Sequence, residues 1–206
     1  MRRWLAIACV CACVGVCGAG EKDAEGWTTL FDGKSLDGWK ASEKTECFSV
    51  KDGMLCVEGG RAHLFYTGDV EKHNFKNFEL KLDIMTRPGA NSGVFFHTAF
   101  QETGWPARGF ECQVNQTHSD PKKTGSLYNI KNVMNTSPAK DDEWYTYHII
   151  VQGDKVTIKV NDAVVNEVTF DEKLPRKLSS GTFCLQAHDP KSKICYKNIK
   201  VKPLAE

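Results

Sequence analysis

The 206 residues carry 27 Lys and Arg against 26 Asp and Glu, a net charge of +1, with no basic stripe beyond short runs such as Lys122-Lys123. That balance argues against nucleic acid as a partner. The length suits one domain large enough to bury a substantial core.

Met1-Arg2-Arg3 is followed by small and apolar residues from Trp4 to Ala19, and the chain then turns charged at Glu21-Lys22-Asp23. A basic head, an apolar stretch and small residues before a polar start predict a secretory signal peptide over 1–19, too short to span a bilayer comfortably. Cleavage after Ala19 leaves Cys17 and Ala19 as the small residues that signal peptidase needs. Lipid attachment at Cys17 ranks second because Val16 is bulky for such a site, and Trp4 and Ala6 weaken the twin-arginine reading. The expected product is exported, periplasmic or extracellular. It is one domain over 20–206 without a transmembrane helix, and loss of Arg2 and Arg3 takes its net charge from +1 to −1. Five of the cysteines remain in it: Cys47, Cys56, Cys112, Cys184 and Cys195. An odd number leaves at least one free thiol or an intermolecular bond. Cys47 and Cys56 flank the predicted turn Lys51-Asp52-Gly53 and are expected to face each other, Cys184 and Cys195 to pair similarly, and Cys112 to be an inert core thiol. No CxxC spacing points to zinc.

Along the chain, short alternating or β-branched runs predict strands at 47–50, 54–58, 78–85, 92–97, 109–115, 147–151, 156–160, 163–165, 182–188 and 194–201. Gly153-Asp154 and Asn161-Asp162 suit tight hairpin turns because they tolerate positive φ. Helical periodicity is nearly absent. The pattern is that of an all-β sandwich or barrel and, without crossover helices, predicts two antiparallel sheets packed face to face. Residues 98–108 and 116–143 read as loops, where sites tend to be built on such a scaffold.

Two predicted strands break the rule that a buried strand is apolar. In Gly109-Phe110-Glu111-Cys112-Gln113-Val114, Glu111 and Gln113 share one face; in Phe183-Cys184-Leu185-Gln186-Ala187-His188, Gln186 and His188 do. Phe110, Cys112, Val114, Phe183, Leu185 and Ala187 take the other. A carboxylate, two amides and an imidazole on one polar floor can hold a polyhydroxylated ligand or move its protons. The bland alternative is a solvated edge-strand face. His188 could likewise be a surface histidine, and His63, His73, His118 and His148 are expected to be so. Asp32 and Asp37 read as turn formers, Trp27 and Trp39 as core anchors.

The stretch Gly26-Trp27-Thr28-Thr29-Leu30-Phe31-Asp32-Gly33-Lys34-Ser35-Leu36-Asp37-Gly38-Trp39 resembles the opening signature of the 3-keto-disaccharide hydrolase domain family. The resemblance continues in order through Phe78-Glu79-Leu80-Lys81-Leu82, Asn91-Ser92-Gly93-Val94-Phe95-Phe96, Gly109-Phe110-Glu111-Cys112-Gln113 and Thr124-Gly125-Ser126-Leu127-Tyr128. It closes with Glu143-Trp144, Leu185-Gln186-Ala187-His188 and Tyr196-Lys197-Asn198-Ile199-Lys200-Val201, so it covers nearly the whole predicted domain. It implies a concanavalin A-like jelly-roll sandwich acting on sugars whose 3-hydroxyl has been oxidised to a ketone. The family usually has Arg at the positions of His97 and Lys197, and Arg is not interchangeable with Lys at a bidentate site.

A ketone at C3 acidifies the hydrogen at C2, so a base can remove it, the C1 substituent leaves by β-elimination, and water can add back. Such a site needs a base, an acid and donors for the enolate oxygen. Glu111 and His188 are the candidate pair, with base and acid open between them. Asn91, Gln113 and Gln186 are candidates to hold hydroxyls or the carbonyl, His97 or Lys197 to offset charge, and Tyr128 or Trp144 to stack on the ring. No cofactor motif or dedicated metal spacing is present, although Glu111, His97 and His188 could converge on a divalent cation. Two other readings remain: a non-catalytic carbohydrate-binding module of the same fold, and a laminarinase-type glycosidase. The latter ranks last because Glu79 and Asp83 lack Glu-x-Asp-x-x-Glu spacing and Glu111 has no carboxylate partner along its strand.

Overall fold

The computed structural model describes Gly20 and residues 22–205, so the predicted leader and its Cys17 lie outside the described residues. Among the described residues, thirteen strands and two short 3-10 turns make up the regular structure. The smaller sheet has the order β2 (Trp39–Ala41), β5 (Ala62–Tyr66), β12 (Thr182–Ala187), β7 (Asn91–Thr98) and β8 (Phe110–Asn115). The larger runs from β11 (Ala163–Thr169) through β10 (Lys155–Val160), β9 (Tyr145–Gln152), β6 (Phe78–Thr86), β13 (Lys193–Pro203) and β4 (Met54–Glu58) to β3 (Phe48–Lys51). There, β1 (Thr28–Thr29) pairs with the later part of β13. Every pairing is antiparallel. All ten predicted strands form, within a few residues of the expected ends.

Alternation explains the layers. In β6 the even-numbered residues from Phe78 to Thr86 are buried and the intervening ones half-exposed, the mark of a sheet with one face on the core. Phe110, Cys112, Val114, Phe183, Leu185 and Ala187 all join the main core, as the pattern required. Each large apolar side chain enclosed there contributes about 2–3 kcal/mol by leaving water. The hairpin turns follow local chemistry: Asp52 and Gly53 (φ 49° and 77°) and Asn161 and Asp162 (φ 48° and 66°) are left-handed, the pair of conformations a type I′ turn demands.

Unexpected features have physical causes. The sequence pattern missed β5, Ala-His-Leu-Phe-Tyr, because all five residues are buried, so there is no alternation to read. His63 on this strand is wholly enclosed rather than on the surface, and His148 is buried with Nε2 2.8 Å from Glu79 Oε2. The five cysteines among the described residues are free thiols, and neither expected pairing is formed. Register instead sets Cys56 of β4 opposite Cys195 of β13, their sulfurs 3.2 Å apart. Cys47 points to the Gly60 carbonyl, Cys184 is buried beside Phe65 and Phe95, and Cys112 lies in the core.

Candidate active site

The outer face of the smaller sheet carries a cleft of about 320 Å³ whose walls include Asn91, Glu111, Gln113, Tyr128, Gln186 and His188. The polar floor read from alternation is therefore one site. β7 lies between β8 and β12, with Gly93 opposite Gln113 and Phe95 opposite Glu111. A side chain at Gly93 would collide with Glu111, its Cβ falling 2.7 Å from Cγ and 2.9 Å from Cδ. The glycine of Asn91-Ser92-Gly93 thus opens the space in which the carboxylate lies. Across it Gln186 Nε2 donates to Glu111 Oε1 at 3.4 Å. The Gln113 amide reaches Asn91 Oδ1 at 3.1 Å or, turned end for end, sets its nitrogen 3.0 Å from Glu111 Oε1.

Burial dominates the electrostatics of Glu111. Enclosure among these groups raises its carboxyl to about 7; the Gln186 amide and Lys122 oppose the rise, and the nearby Asp120 adds to it. The carboxyl therefore exchanges its proton near neutral pH. His188 is oriented from behind. Its Nδ1 lies 3.0 Å from Asp189 Oδ2, which also accepts from Ser192 Oγ at 2.7 Å, while Lys191 N–H donates to Asp189 Oδ1 at 2.9 Å. Burial works against the Asp189 charge, but the donors from Ser192, His188 and Lys191 outweigh it and hold the carboxyl below its ordinary range. With Nδ1 donating to Asp189, His188 keeps Nε2 as its proton acceptor.

The loop after β8 completes the site by pairing with the open edge of that strand. Tyr128 N–H donates to the Glu111 carbonyl at 2.9 Å and Gln113 N–H to the Ser126 carbonyl at 3.0 Å, so Tyr128 stands beside Glu111. Tyr128 OH in turn donates to Asp120 Oδ2 at 3.0 Å. Residues that strand patterns could not reveal also line the cleft: Trp105 from the loop after β7, Asp120 and Asn129 from the loop after β8, and Arg176 from the loop before β12. Their positions depend on loop docking. The one sequence signal was the Gly-, Pro- and Asp-rich character of two of those loops.

Three expected site residues lie elsewhere. His97 has φ 54° in a bulge where β7 slips against β12, and a bulge redirects a side chain from its strand's alternation. Its ring packs against Phe78 and Phe96 with Nε2 2.9 Å from the Lys76 carbonyl, and burial lowers its pKa to about 4, so it offers no cation to the cleft. Lys197 belongs to β13 in the other sheet, where its ammonium stands 4.0 Å from the centre of the Trp144 ring. That pair removes the expected charge and the expected stacking platform from the site together. The lining of a depression of about 740 Å³ on the larger sheet includes Asp83, Lys81 and Lys200, each with a local partner. Asp83 accepts from Thr146 and Asn198, and Lys81 and Lys200 lie over Trp27.

The bulge also separates His97 from Glu111 and His188 as a ligand set. His118, His188 and Asp189 instead bring two nitrogens and an oxygen within 4.8 Å of one another. His188 Nδ1 is hydrogen-bonded to Asp189 Oδ2 at 3.0 Å, while His118 Nδ1 accepts the Asp120 N–H at 3.1 Å, which leaves its proton on Nε2, 4.0 Å from the same Asp189 oxygen. A cation there would have to displace protons from both imidazoles.

The fold is a two-sheet antiparallel jelly-roll sandwich. The carbohydrate-binding module CBM66 of Bacillus subtilis superposes with a TM-score of 0.59 at 13% identity, covering 80% of this chain and 95% of that one. A Parabacteroides distasonis protein provisionally named a glycosyl hydrolase superposes with a TM-score of 0.73 at 24% identity over 88% of this chain and 95% of that one. Residues 26–202 match the 3-keto-alpha-glucoside-1,2-lyase-like domain, and the chain belongs to that family. The 3-keto-disaccharide hydrolase of Bacteroides thetaiotaomicron is 26% identical over 171 residues, 70% of this chain, and the chain spans 59% of that protein's length.

Proposed function

We propose that this protein cleaves 3-keto-glycosides by elimination followed by hydration. His188 Nε2 takes the C2 proton, and the C2–H electron pair forms the enolate of the C3 ketone. The ketone re-forms as the C1–C2 double bond closes and the C1–O bond breaks. Glu111, protonated near neutrality, delivers its proton to the departing oxygen. In the return step the Glu111 carboxylate removes a proton from water, the water oxygen bonds to C1, and the His188 imidazolium returns a proton to C2. The net change is hydrolysis, and both residues end as they began. Asp189 stabilises the imidazolium formed in between, while Asn91, Gln113, Gln186 and Arg176 are the amides and cation available to the sugar oxygens.

The observation that carries this reading is that Glu111 and His188 line one cleft, with the carboxyl held near 7 and the imidazole oriented through Nδ1. Family membership supports the 3-keto-sugar substrate class. One observation favours a second reading: Asp120 gives Glu111 a carboxylate neighbour in the same cleft, and two carboxylates are what an ordinary glycosidase requires. Incubating the purified protein with a 3-keto-glucoside and with its unoxidised parent separates the two. Cleavage of the keto form alone supports elimination; cleavage of the parent supports the glycosidase; cleavage of neither contradicts both. The N-terminal pattern supports an exported enzyme, and N-terminal sequencing of the expressed protein should begin at residue 20. Retention of Met1 would contradict export by cleavage.

A further inference from the structure

One end of the smaller sheet, where β5 and β7 finish and β12 begins, holds a cavity of about 390 Å³ that shares no lining residue with the cleft. Its floor includes the buried residues Tyr66, Thr98 and Thr182, and its mouth the exposed residues Lys72, His73 and Arg108. No carboxylate is among the residues that line it; Asp69 and Glu71, the acids next to Lys72, lie outside the wall. Neither Lys72 nor Arg108 takes part in an ion pair among the described residues. Like charges brought to one cavity without a counter-charge repel each other, and an anion between them relieves that repulsion.

The floor has its own unmet need. Thr98 is 1% exposed and its Oγ1 has no hydrogen-bond partner, whereas the hydroxyl of its cross-strand neighbour Thr182 donates to the Tyr66 carbonyl. Buried hydroxyls are nearly always bonded, because leaving one unpaired costs stability. Arg108 is fixed by one bond, from Nη2 to the Ser180 carbonyl at 3.1 Å, which leaves the rest of its N–H fork uncommitted. The segment that carries Lys72 is strained: Glu71, Lys72 and His73 have φ of 49°, 51° and 46°, three successive non-glycine residues in the left-handed region. Such strain persists only where the surroundings hold it, and it gathers at ligand clamps. Here Phe75 and Gly181 exchange backbone hydrogen bonds of 2.8 and 3.1 Å just beyond the segment, and His73 Nδ1 lies 3.2 Å from the Gly68 carbonyl.

We infer that this cavity binds an oxyanion, a phosphate or sulfate group held by the Lys72 ammonium, the Arg108 guanidinium and the Thr98 hydroxyl. The planar fork of Arg matches two oxygens of such a group, and Lys adds a point charge. The Thr98 hydroxyl donates the bond for which it has no other acceptor. The cavity is of a size that holds a small organic ligand, so the group arrives free or carried on a small molecule. Binding here does not depend on the reaction proposed above.

The test is calorimetric titration of the wild-type protein with inorganic phosphate, sulfate and glucose 6-phosphate, at constant ionic strength set with chloride and with glucose as the uncharged control. Saturable binding of phosphate or sulfate identifies the free anion as ligand, and binding of glucose 6-phosphate alone identifies the carried group. Either supports the site if Arg108→Gln and Lys72→Gln, both at exposed positions, each weaken it about tenfold, the effect of a lost charge-assisted hydrogen bond. Thr98→Val should also weaken binding while raising Tm in anion-free buffer, since it removes the unpaired hydroxyl. A lowered Tm with unchanged affinity would make Thr98 a structural residue and overturn the floor described here. No binding of any of the three anions above the chloride baseline, or binding equally strong in Arg108→Gln and Lys72→Gln, overturns the site.

Discussion

Replacing Glu111 by Gln should make stability less dependent on pH, by an amount the site itself sets. Burial lifts the carboxyl from an ordinary 4.5 to about 7, so the folded chain holds this proton after the unfolded chain has released it. Below about pH 4.5 both states are protonated and the group costs nothing. As pH rises toward 7 the unfolded state ionises first and stability falls; above 7 the loss is complete and constant. A difference of about 2.5 pH units at 1.36 kcal/mol each corresponds to about 3 kcal/mol. Gln keeps the acceptor oxygen that faces Gln186 and carries no charge at any pH. Urea unfolding of both proteins at pH 4.5 and pH 8 is the assay. The gap in midpoint should widen by roughly 1.5 M in the variant's favour at the higher pH, taking a slope of about 2 kcal/mol/M. A gap unchanged between the two pH values would refute the claim that this carboxyl is destabilised by burial, and with it the argument for Glu111 as an acid at neutral pH.

The same shift makes kcat/KM for elimination fall above about pH 7 as Glu111 loses its proton, and a rate still rising from pH 7 to 9 would assign Glu111 another role. Asp189→Asn leaves the His188 ring in place but loses the carboxylate at Nδ1; kcat should drop about 100-fold with KM nearly unchanged, and an undiminished kcat would remove Asp189 from the mechanism. Gly93→Ala drives a methyl group into Glu111; it should cost about 1–3 kcal/mol by urea unfolding and most of the activity, and a stable, fully active variant would contradict the fit described at β7. Oxidising conditions should join Cys56 to Cys195, since they are direct cross-strand neighbours; peptide mapping without reductant should find that pair, and a Cys47–Cys56 link instead would contradict the register.

The chemistry was most legible where one strand face met the core and the other did not. Phe110 to Val114 and Phe183 to His188 showed it, because apolar neighbours fixed the direction of Glu111, Gln113, Gln186 and His188. β5 was illegible for the opposite reason: with His63 and Phe65 covered by Trp105 and Phe100, both of its faces look buried. His97 was misplaced because one bulge reverses the parity of a strand, and a motif does not reveal a bulge. Lys197 and Trp144 were misplaced because strand order, not sequence, decides which sheet a residue joins. The cysteine pairing failed similarly, since Cys56 and Cys195 meet through the docking of strands 139 residues apart. Asp120, Trp105 and Arg176 reach the cleft through loop conformations that no periodicity encodes.

The most direct test of the central claim is proton exchange at C2. With a 3-keto-glucoside in D2O, wild type should yield a 3-keto sugar carrying deuterium at C2, and His188→Ala should abolish both the label and the cleavage. Cleavage by the wild-type protein with the C2 hydrogen retained and with no primary kinetic isotope effect from C2-deuterated substrate would contradict elimination and point to direct displacement at C1.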